Sequence, residues 1–131
     1  MTLLLDAQVI VWWLNGDRKL GPGTRRAIEL EATEVRVSAA SLWEIAIKVA
    51  IGHLEFDEPF DTAALRVAEY SRFQPLSITV RHALAAGALP LHHRDPFDRM
   101  LIAQAQLEDL TIVTSDAAFD DYDVRTVDAR A

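Results

Sequence analysis

The chain has 131 residues, half of which are hydrophobic, and its 20 acidic and 13 basic residues give a formal net charge of −7. This size and apolar content predict one compact domain with a buried core, spanning residues 1–131. The negative charge argues against a protein that holds nucleic acid on a basic surface. It does not exclude a nucleic-acid enzyme, because acids that bind divalent cations also contribute negative charge.

Cysteine is absent, which excludes disulfides and thiolate metal sites and fits a reducing cytoplasm. No apolar run approaches the roughly 20 residues that span a bilayer. The first residues contain no basic segment and reach an acid at Asp6, so the pattern does not indicate a signal peptide. We therefore expect a cytoplasmic protein that does not associate with membranes.

Short apolar runs alternate with helical patterns along the whole chain. Strands are predicted at residues 2–5, 35–38, 74–78, 110–113 and 124–127. Helices are predicted at residues 7–14, 24–32, 42–51 and 61–73, from a cap at Thr79 to residue 89, and from residue 96 onwards. This alternation predicts an α/β fold with a mostly parallel sheet covered by helices on both faces.

Acidic residues follow two of the predicted strands. Asp6 closes the first strand, and Asp116 lies three residues beyond Val113 of a later strand. Functional groups of such sheets collect at the carboxyl ends of the strands, so both carboxylates are expected at the same edge. Each residue also has a simpler interpretation, since an aspartate at that position can cap the turn or helix that follows it.

The last predicted helix begins with a strong start signal. Asp95 can cap it, Pro96 suits its first position, and Asp98 falls in its first turn, where an acid favours the helix dipole. Asp98 also begins an apolar stripe that continues at positions 101, 102 and 105. A carboxylate on a buried stripe is costly unless it is paired, hydrogen-bonded or bound to a metal.

Glu44 is the only acid in the apolar helix that follows the second strand. An ion pair with Lys48, one turn later, is the simpler interpretation and contributes about 0.3–0.5 kcal/mol when exposed. The alternative is that Glu44 joins the acids at the sheet edge. The oxygens of Asp6, Glu44, Asp98 and Asp116 then form a site for Mg²⁺ or Mn²⁺, which can activate water for phosphodiester hydrolysis.

Polar residues beside these acids are candidates for supporting roles. Thr114 and Ser115 can hydrogen-bond a ligand water or a phosphate, or can simply cap a turn. Arg94 and Arg99 can contact a phosphate backbone or form solvated ion pairs. The adjacent histidines at positions 92 and 93 are interpreted as loop residues, of which one can contact substrate.

Several of these motifs together resemble the PIN-domain ribonucleases, in particular the VapC-type toxins of bacterial and archaeal toxin–antitoxin pairs. The residues that carry the resemblance are Leu3-Leu4-Leu5-Asp6, Trp12-Trp13-Leu14, Ser41-Leu42-Trp43-Glu44-Ile45 with Lys48 and Gly52, His92, Asp95-Pro96-Phe97-Asp98-Arg99, Leu101, Ala103-Gln104-Ala105, and Val113-Thr114-Ser115-Asp116 with Phe119. The match covers almost the whole chain, and its Asp-Pro-Phe-Asp-Arg block is the specific part.

The resemblance implies a PIN-like fold with a five-stranded parallel sheet, a homodimer, and Mg²⁺-dependent endoribonuclease activity with Mn²⁺ as a substitute. It assigns metal-site roles to Asp6, Glu44, Asp98 and Asp116, and leaves Asp95 as a cap or a support for these ligands. It also implies a cognate antitoxin whose peptide tail places a basic side chain at the acids. Ala7 departs from the family, which often has a small hydroxyl residue there.

A catalytically silent RNA-binding or assembly domain that kept the fold is one alternative, and the presence of all four acids argues against it. Two other functions remain open at the level of sequence. A structure-specific DNA nuclease of the same fold is one, because metals at a sheet edge do not distinguish ribose from deoxyribose. A phosphoacceptor receiver domain is the other, although it needs an acidic pair on the first strand and a late lysine. Here Asp6 is followed by Ala7 and Gln8, and no lysine follows Lys48.

Overall fold

A computed structural model of the chain describes residues 1–69 and 73–131. The strands are β1 (Thr2–Leu5), β2 (Glu34–Ser38), β3 (Phe73–Leu76), β4 (Thr111–Thr114) and β5 (Arg125–Asp128). The helices are α1 (Ala7–Asn15), α2 (Pro22–Glu29), α3 (Ala39–Ala50), α4 (Phe60–Glu69), α5 (Val80–Ala88) and α6 (Pro96–Glu108), with a 3₁₀ turn at Ala117–Asp121. No helix within the described ranges is long and apolar enough to cross a membrane.

The five strands form one parallel sheet in the order β3-β2-β1-β4-β5, which confirms the predicted α/β fold. The direction of strand succession reverses between β1 and β4, and ligands of open α/β sheets bind at such a switch point. Receiver domains follow the order 2-1-3-4-5 instead. The observed order therefore rules out the phosphoacceptor alternative.

Both faces of the sheet are covered, and the central strand β1 contributes side chains to an apolar cluster on each face. On one face Leu3 and Leu5 pack in a cluster with Ile10 of α1 and Ile45 of α3. On the other face Leu4 belongs to a second cluster, whose other members include Leu101, Ile102, Ile112 and Phe119. This two-sided burial explains why β1 is a continuous apolar run, as is typical of parallel sheets.

Several predicted boundaries were wrong for identifiable reasons. Helix α2 begins at Pro22, two residues before the predicted start, and ends at Glu29 because Leu30 is extended. Helix α3 begins at Ala39 because the hydroxyl of Ser38 caps it by accepting from the amide of Ala40.

The helix predicted at residues 61–73 contained the largest error. Helix α4 ends at Glu69 and Phe73 begins β3, where it is buried, while residues 70–72 of that prediction lie outside the described part of the chain. Strand β3 also ends at Leu76, two residues before the predicted end. An apolar residue after an amphipathic segment suits a helix or a strand equally, and here the tertiary pairing of β3 with β2 decides.

We expect Leu4→Ala to lower the free energy of unfolding by about 2–5 kcal/mol, because its side chain is fully buried between the sheet and α6. Urea unfolding followed by circular dichroism measures this change. Leu65→Ala is the matched control, since Leu65 of α4 is 61% exposed and its truncation should cost far less. Equal losses in the two variants would contradict the described core.

Candidate metal centre

Asp6 lies at the junction of β1 and α1 and is buried, with 7% of its surface exposed. Its Oδ1 accepts a hydrogen bond from the amide of Ala7 at 2.7 Å, which caps α1, and its Oδ2 accepts from the hydroxyl of Thr114 at 2.8 Å. The same hydroxyl oxygen accepts from the amide of Asp116 at 3.0 Å. Thr114 therefore connects the carboxyl ends of β1 and β4 at the switch point.

Asp98 reaches the same region from the first turn of α6. Asp95 caps this helix, because its Oδ1 accepts from the amides of Phe97 and Asp98 at 2.9 and 3.1 Å. Asp98 is buried, with 9% of the residue exposed, and its Oδ2 lies 2.7 Å from Nε2 of His93. The acid predicted on the apolar stripe is thus buried, and its partner is an imidazole.

Three residues form a compact group of metal-ligating atoms. Within residues 1–69 and 73–131, one set of ligand atoms lies within 4.8 Å of one another, and it comes from His93, Asp98 and Asp116. Asp98 lies in the first turn of α6 and His93 in the segment before that helix. Asp116 caps the 3₁₀ turn after β4. Asp116 is exposed, so the group opens to solvent on that side.

Burial shifts the protonation of both buried acids. Desolvation raises the pKa of Asp98 to about 7, against a hydrogen bond from His93 that lowers it, and the charges of Asp6, Asp95 and Glu44 raise it further. Desolvation likewise raises the pKa of Asp6 to about 6, opposed by its bonds to Thr114 and Ala7. The hydrogen bond to Asp98 in turn raises the pKa of His93.

Glu44 forms the ion pair with Lys48 that the sequence offered as the simpler interpretation. The Nζ of Lys48 lies 2.9 Å from Oε2 of Glu44. The other carboxylate oxygen, Oε1, is buried and has no hydrogen-bond partner among the described residues. A buried acceptor without a partner costs free energy, and a cation would satisfy it.

The donor set therefore fits a hard divalent cation. The buried carboxylates of Asp6 and Asp98 repel each other. The group that opens to solvent offers carboxylate oxygens and an imidazole nitrogen, and Oε1 of Glu44 has no hydrogen-bond partner among the described residues. Mg²⁺ and Mn²⁺ accept the carboxylate oxygens of this set and leave further positions to water or substrate. The structure brings Asp98 and Asp116 into direct proximity, and places Asp6 and Glu44 close enough to act on Asp98 through their charge.

Arg99, which the sequence offered as a contact to a phosphate backbone, donates to backbone carbonyls of the chain itself. Its side chain is buried, and its guanidinium donates to the carbonyls of Ala86, Leu89 and Pro90 at 2.9–3.0 Å. These acceptors lie at and after the end of α5. Arg99 therefore fixes the chain between α5 and α6, and its donors are not directed at a substrate.

His93 is the member of the site that the sequence did not single out. Two adjacent histidines in an irregular segment carry no periodicity, so both were interpreted as loop residues. The signal that identifies His93 is its position two residues before the capping Asp95, because the tight turn into α6 brings the imidazole back over the first helical turn. Ser115, in contrast, is exposed beside Asp116.

Comparison with known proteins places the chain in a family. The PIN domain family model matches residues 3–125. The chain belongs to the PIN-domain family. No curated protein matches this PIN domain significantly in sequence.

Solved structures share the PIN fold at low sequence identity. A chain in VapBC2 from Rickettsia felis, bound to a promoter DNA fragment, superposes with a TM-score of 0.73 at 15% identity, over 97% of this chain and 98% of that one. A chain in DNA-bound VapBC from Salmonella typhimurium gives 0.71 at 18% identity, over 98% of each chain. A chain in VapBC-1 from nontypeable Haemophilus influenzae gives 0.69 at 18% identity, over 100% of each chain.

We expect the metal-free PIN domain to lose stability as the pH rises from about 4 to about 7. Folded Asp98 keeps its proton up to pH about 7, whereas an unfolded aspartate releases it near 3.9, so rising pH favours the unfolded state. The raised pKa of His93 acts in the same direction, because that proton is also held more tightly in the folded protein.

Urea unfolding in chelator at pH 5 and pH 8 measures this effect. The urea concentration at the wild-type midpoint should be lower at pH 8 than at pH 5, and it should rise again at pH 8 when Mg²⁺ is added. Asp98→Asn removes the titrating carboxyl and should show a smaller fall and a smaller recovery. A wild-type midpoint that rises from pH 5 to pH 8 in chelator would contradict the assignment.

Proposed function

We propose that this PIN domain is a Mg²⁺-dependent endoribonuclease and the toxin of a type II toxin–antitoxin pair. The observation that supports the nuclease best is the convergence of His93, Asp98 and Asp116 at the switch point of the sheet, with Asp6 and Glu44 close by. Buried like charges are costly, and proteins keep them where a cation or a reaction uses them.

The proposed ligands of Mg²⁺, or of Mn²⁺ as its substitute, are Asp6, Glu44, Asp98 and Asp116. When bound, the ion supplies an activated water and neutralises charge on the leaving oxygen of a phosphodiester. We assign His93 to the same centre through its contact with Asp98.

The side chains of the chain itself prepare this centre. The Thr114 hydroxyl donates a hydrogen bond to Oδ2 of Asp6 and so fixes that carboxylate at the end of β1. Lys48 holds Oε2 of Glu44 and leaves Oε1 free to bind. Asp116 is exposed and His93 is half-buried, so a phosphodiester approaches from their side of the centre.

The assignment as a toxin rests on family membership and on the similar solved structures. The PIN family matches almost the whole chain, and similar folds occur in VapBC from three bacteria. We propose that the chain forms a homodimer and binds a cognate antitoxin whose basic side chain meets the acids. The net charge of −7 suits a basic partner segment.

Purified protein should cut single-stranded RNA in Mg²⁺ or Mn²⁺ and should stop in chelator. Glu44→Gln and Asp98→Asn should each reduce cutting by at least about 100-fold while the fold is retained, because each removes a charged ligand. Glu31→Gln is the matched control, since Glu31 is exposed and precedes β2 at the opposite edge of the sheet. Mapping of cleavage ends in labelled RNA measures the effect.

The substrate is decided by the same assay with DNA of identical sequence. Cutting of DNA but not RNA would replace the proposed activity with the DNA nuclease alternative. Undiminished cutting by Asp98→Asn would refute the assignment of the centre.

The toxin assignment has a separate test in cells. Induction of the wild-type chain should arrest growth, Asp98→Asn should not, and co-expression of a small protein encoded immediately upstream should restore growth. Light scattering should give twice the mass of one chain. If the wild-type protein cuts RNA in vitro but its induction does not slow growth, the toxin role alone is refuted.

A further inference from the structure

Tyr122 connects the two sides of the metal centre. It follows the 3₁₀ turn that Asp116 caps, and its ring is buried, with 8% of the residue exposed. Its hydroxyl oxygen accepts a hydrogen bond from the amide of His93 at 2.9 Å. The same hydroxyl donates to the carbonyl of Pro90 at 2.7 Å. One side chain beyond Asp116 thus holds both ends of the segment that carries His93.

Arg99 holds the same segment beside Tyr122. Its Nη1 donates to the carbonyl of Pro90 at 3.0 Å and to that of His93 at 3.2 Å, and it lies 3.5 Å from the Tyr122 hydroxyl. The ring of His92 also contacts the ring of Tyr122 edge to face, with 5.2 Å between centroids. The backbone from Pro90 to His93 is therefore fixed by contacts to two side chains.

This fixation matters because the segment has no regular secondary structure of its own. The backbone of His93 sets where its imidazole lies, and Nε2 must stay 2.7 Å from Asp98 to hold that carboxylate. Small displacements of a ligand group are costly, since catalytic constellations require placement within about 0.5 Å. A group that anchors the His93 backbone therefore controls the geometry between Asp98 and Asp116.

We propose that Tyr122 is a positioning residue of the metal centre, which acts through His93 and aligns the Asp98 side of the centre with the Asp116 side. The proposal rests on the proposed metal-dependent nuclease. It also predicts a property of the protein without metal, namely that the Tyr122 hydroxyl maintains the hydrogen bond between His93 and Asp98.

The test compares Tyr122→Phe, His93→Gln and the double variant. Mn²⁺ affinity is measured by calorimetry, and the imidazole nitrogen shifts of His93 are measured by NMR in chelator. Tyr122→Phe should weaken Mn²⁺ binding by about 3–10-fold and shift the His93 Nε2 resonance. In the His93→Gln background it should have almost no further effect, because coupled residues are not additive whereas independent ones are. In the RNA cleavage assay, Tyr122→Phe should lower kcat by a larger factor than the factor by which it changes KM.

Thr24→Val is the matched control, because the buried Thr24 hydroxyl also donates to a backbone carbonyl, that of Asp128, at 2.8 Å. It should leave Mn²⁺ affinity and the His93 resonance unchanged. Arg99→Lys is a second variant of the same contacts, should Tyr122→Phe fail to fold. It should move the same two measurements in the same direction.

Each failure has a distinct meaning. Wild-type protein that binds no Mn²⁺ and cuts no RNA would overturn the proposed function, while the His93 resonance in chelator would still decide the role of Tyr122. If the wild type binds Mn²⁺ and Tyr122→Phe has the same Mn²⁺ affinity and the same His93 resonance, the positioning role alone is overturned. Losses that add in the double variant would overturn it too.

Discussion

The burial of two carboxylates at the edge of the sheet is the constraint on which the rest of this structure depends. Asp6 and Asp98 are each less than one tenth exposed, and desolvation raises the pKa of both. Hydrogen bonds from Thr114 and His93 offset part of this cost but not all of it. An arrangement that is unfavourable in the absence of a cation is suited to binding one, because the ion removes the repulsion.

The sheet order explains how residues distant in sequence meet at this edge. β1 is central and pairs with β2 on one side and β4 on the other, so the acid that ends β1 lies next to the turn that follows β4. Helix α6 packs against the face where Leu4 lies and begins near the same edge, which brings Asp98 to the site. The caps at Asp6, Asp95 and Asp116 therefore begin helical segments at the edge where the buried carboxylates lie.

The sequence predicted the parts of the fold that depend on local pattern. Apolar runs identified five strands, and the acid on an apolar stripe identified Asp98 as a buried group. The roles of His93 and Arg99 were beyond this reasoning, because their partners are set by the path of an irregular segment. The acceptors of Arg99 are backbone carbonyls. Every residue has such a carbonyl, so the sequence does not identify which ones accept. Phe73 was misplaced for a related reason, since strand pairing rather than local periodicity determines its conformation.

The hydrogen bond from Thr114 to Asp6 spans 108 positions of the chain and has a consequence for biosynthesis. A nascent chain on the ribosome cannot complete the centre until β4 has emerged and inserted beside β1, because the carboxylate at the end of β1 until then lacks its neighbours. Pairings this distant form late and slow folding. The contact between Asp6 and Thr114 therefore forms only after β4 has been synthesised, and a chain that ends before β4 lacks it.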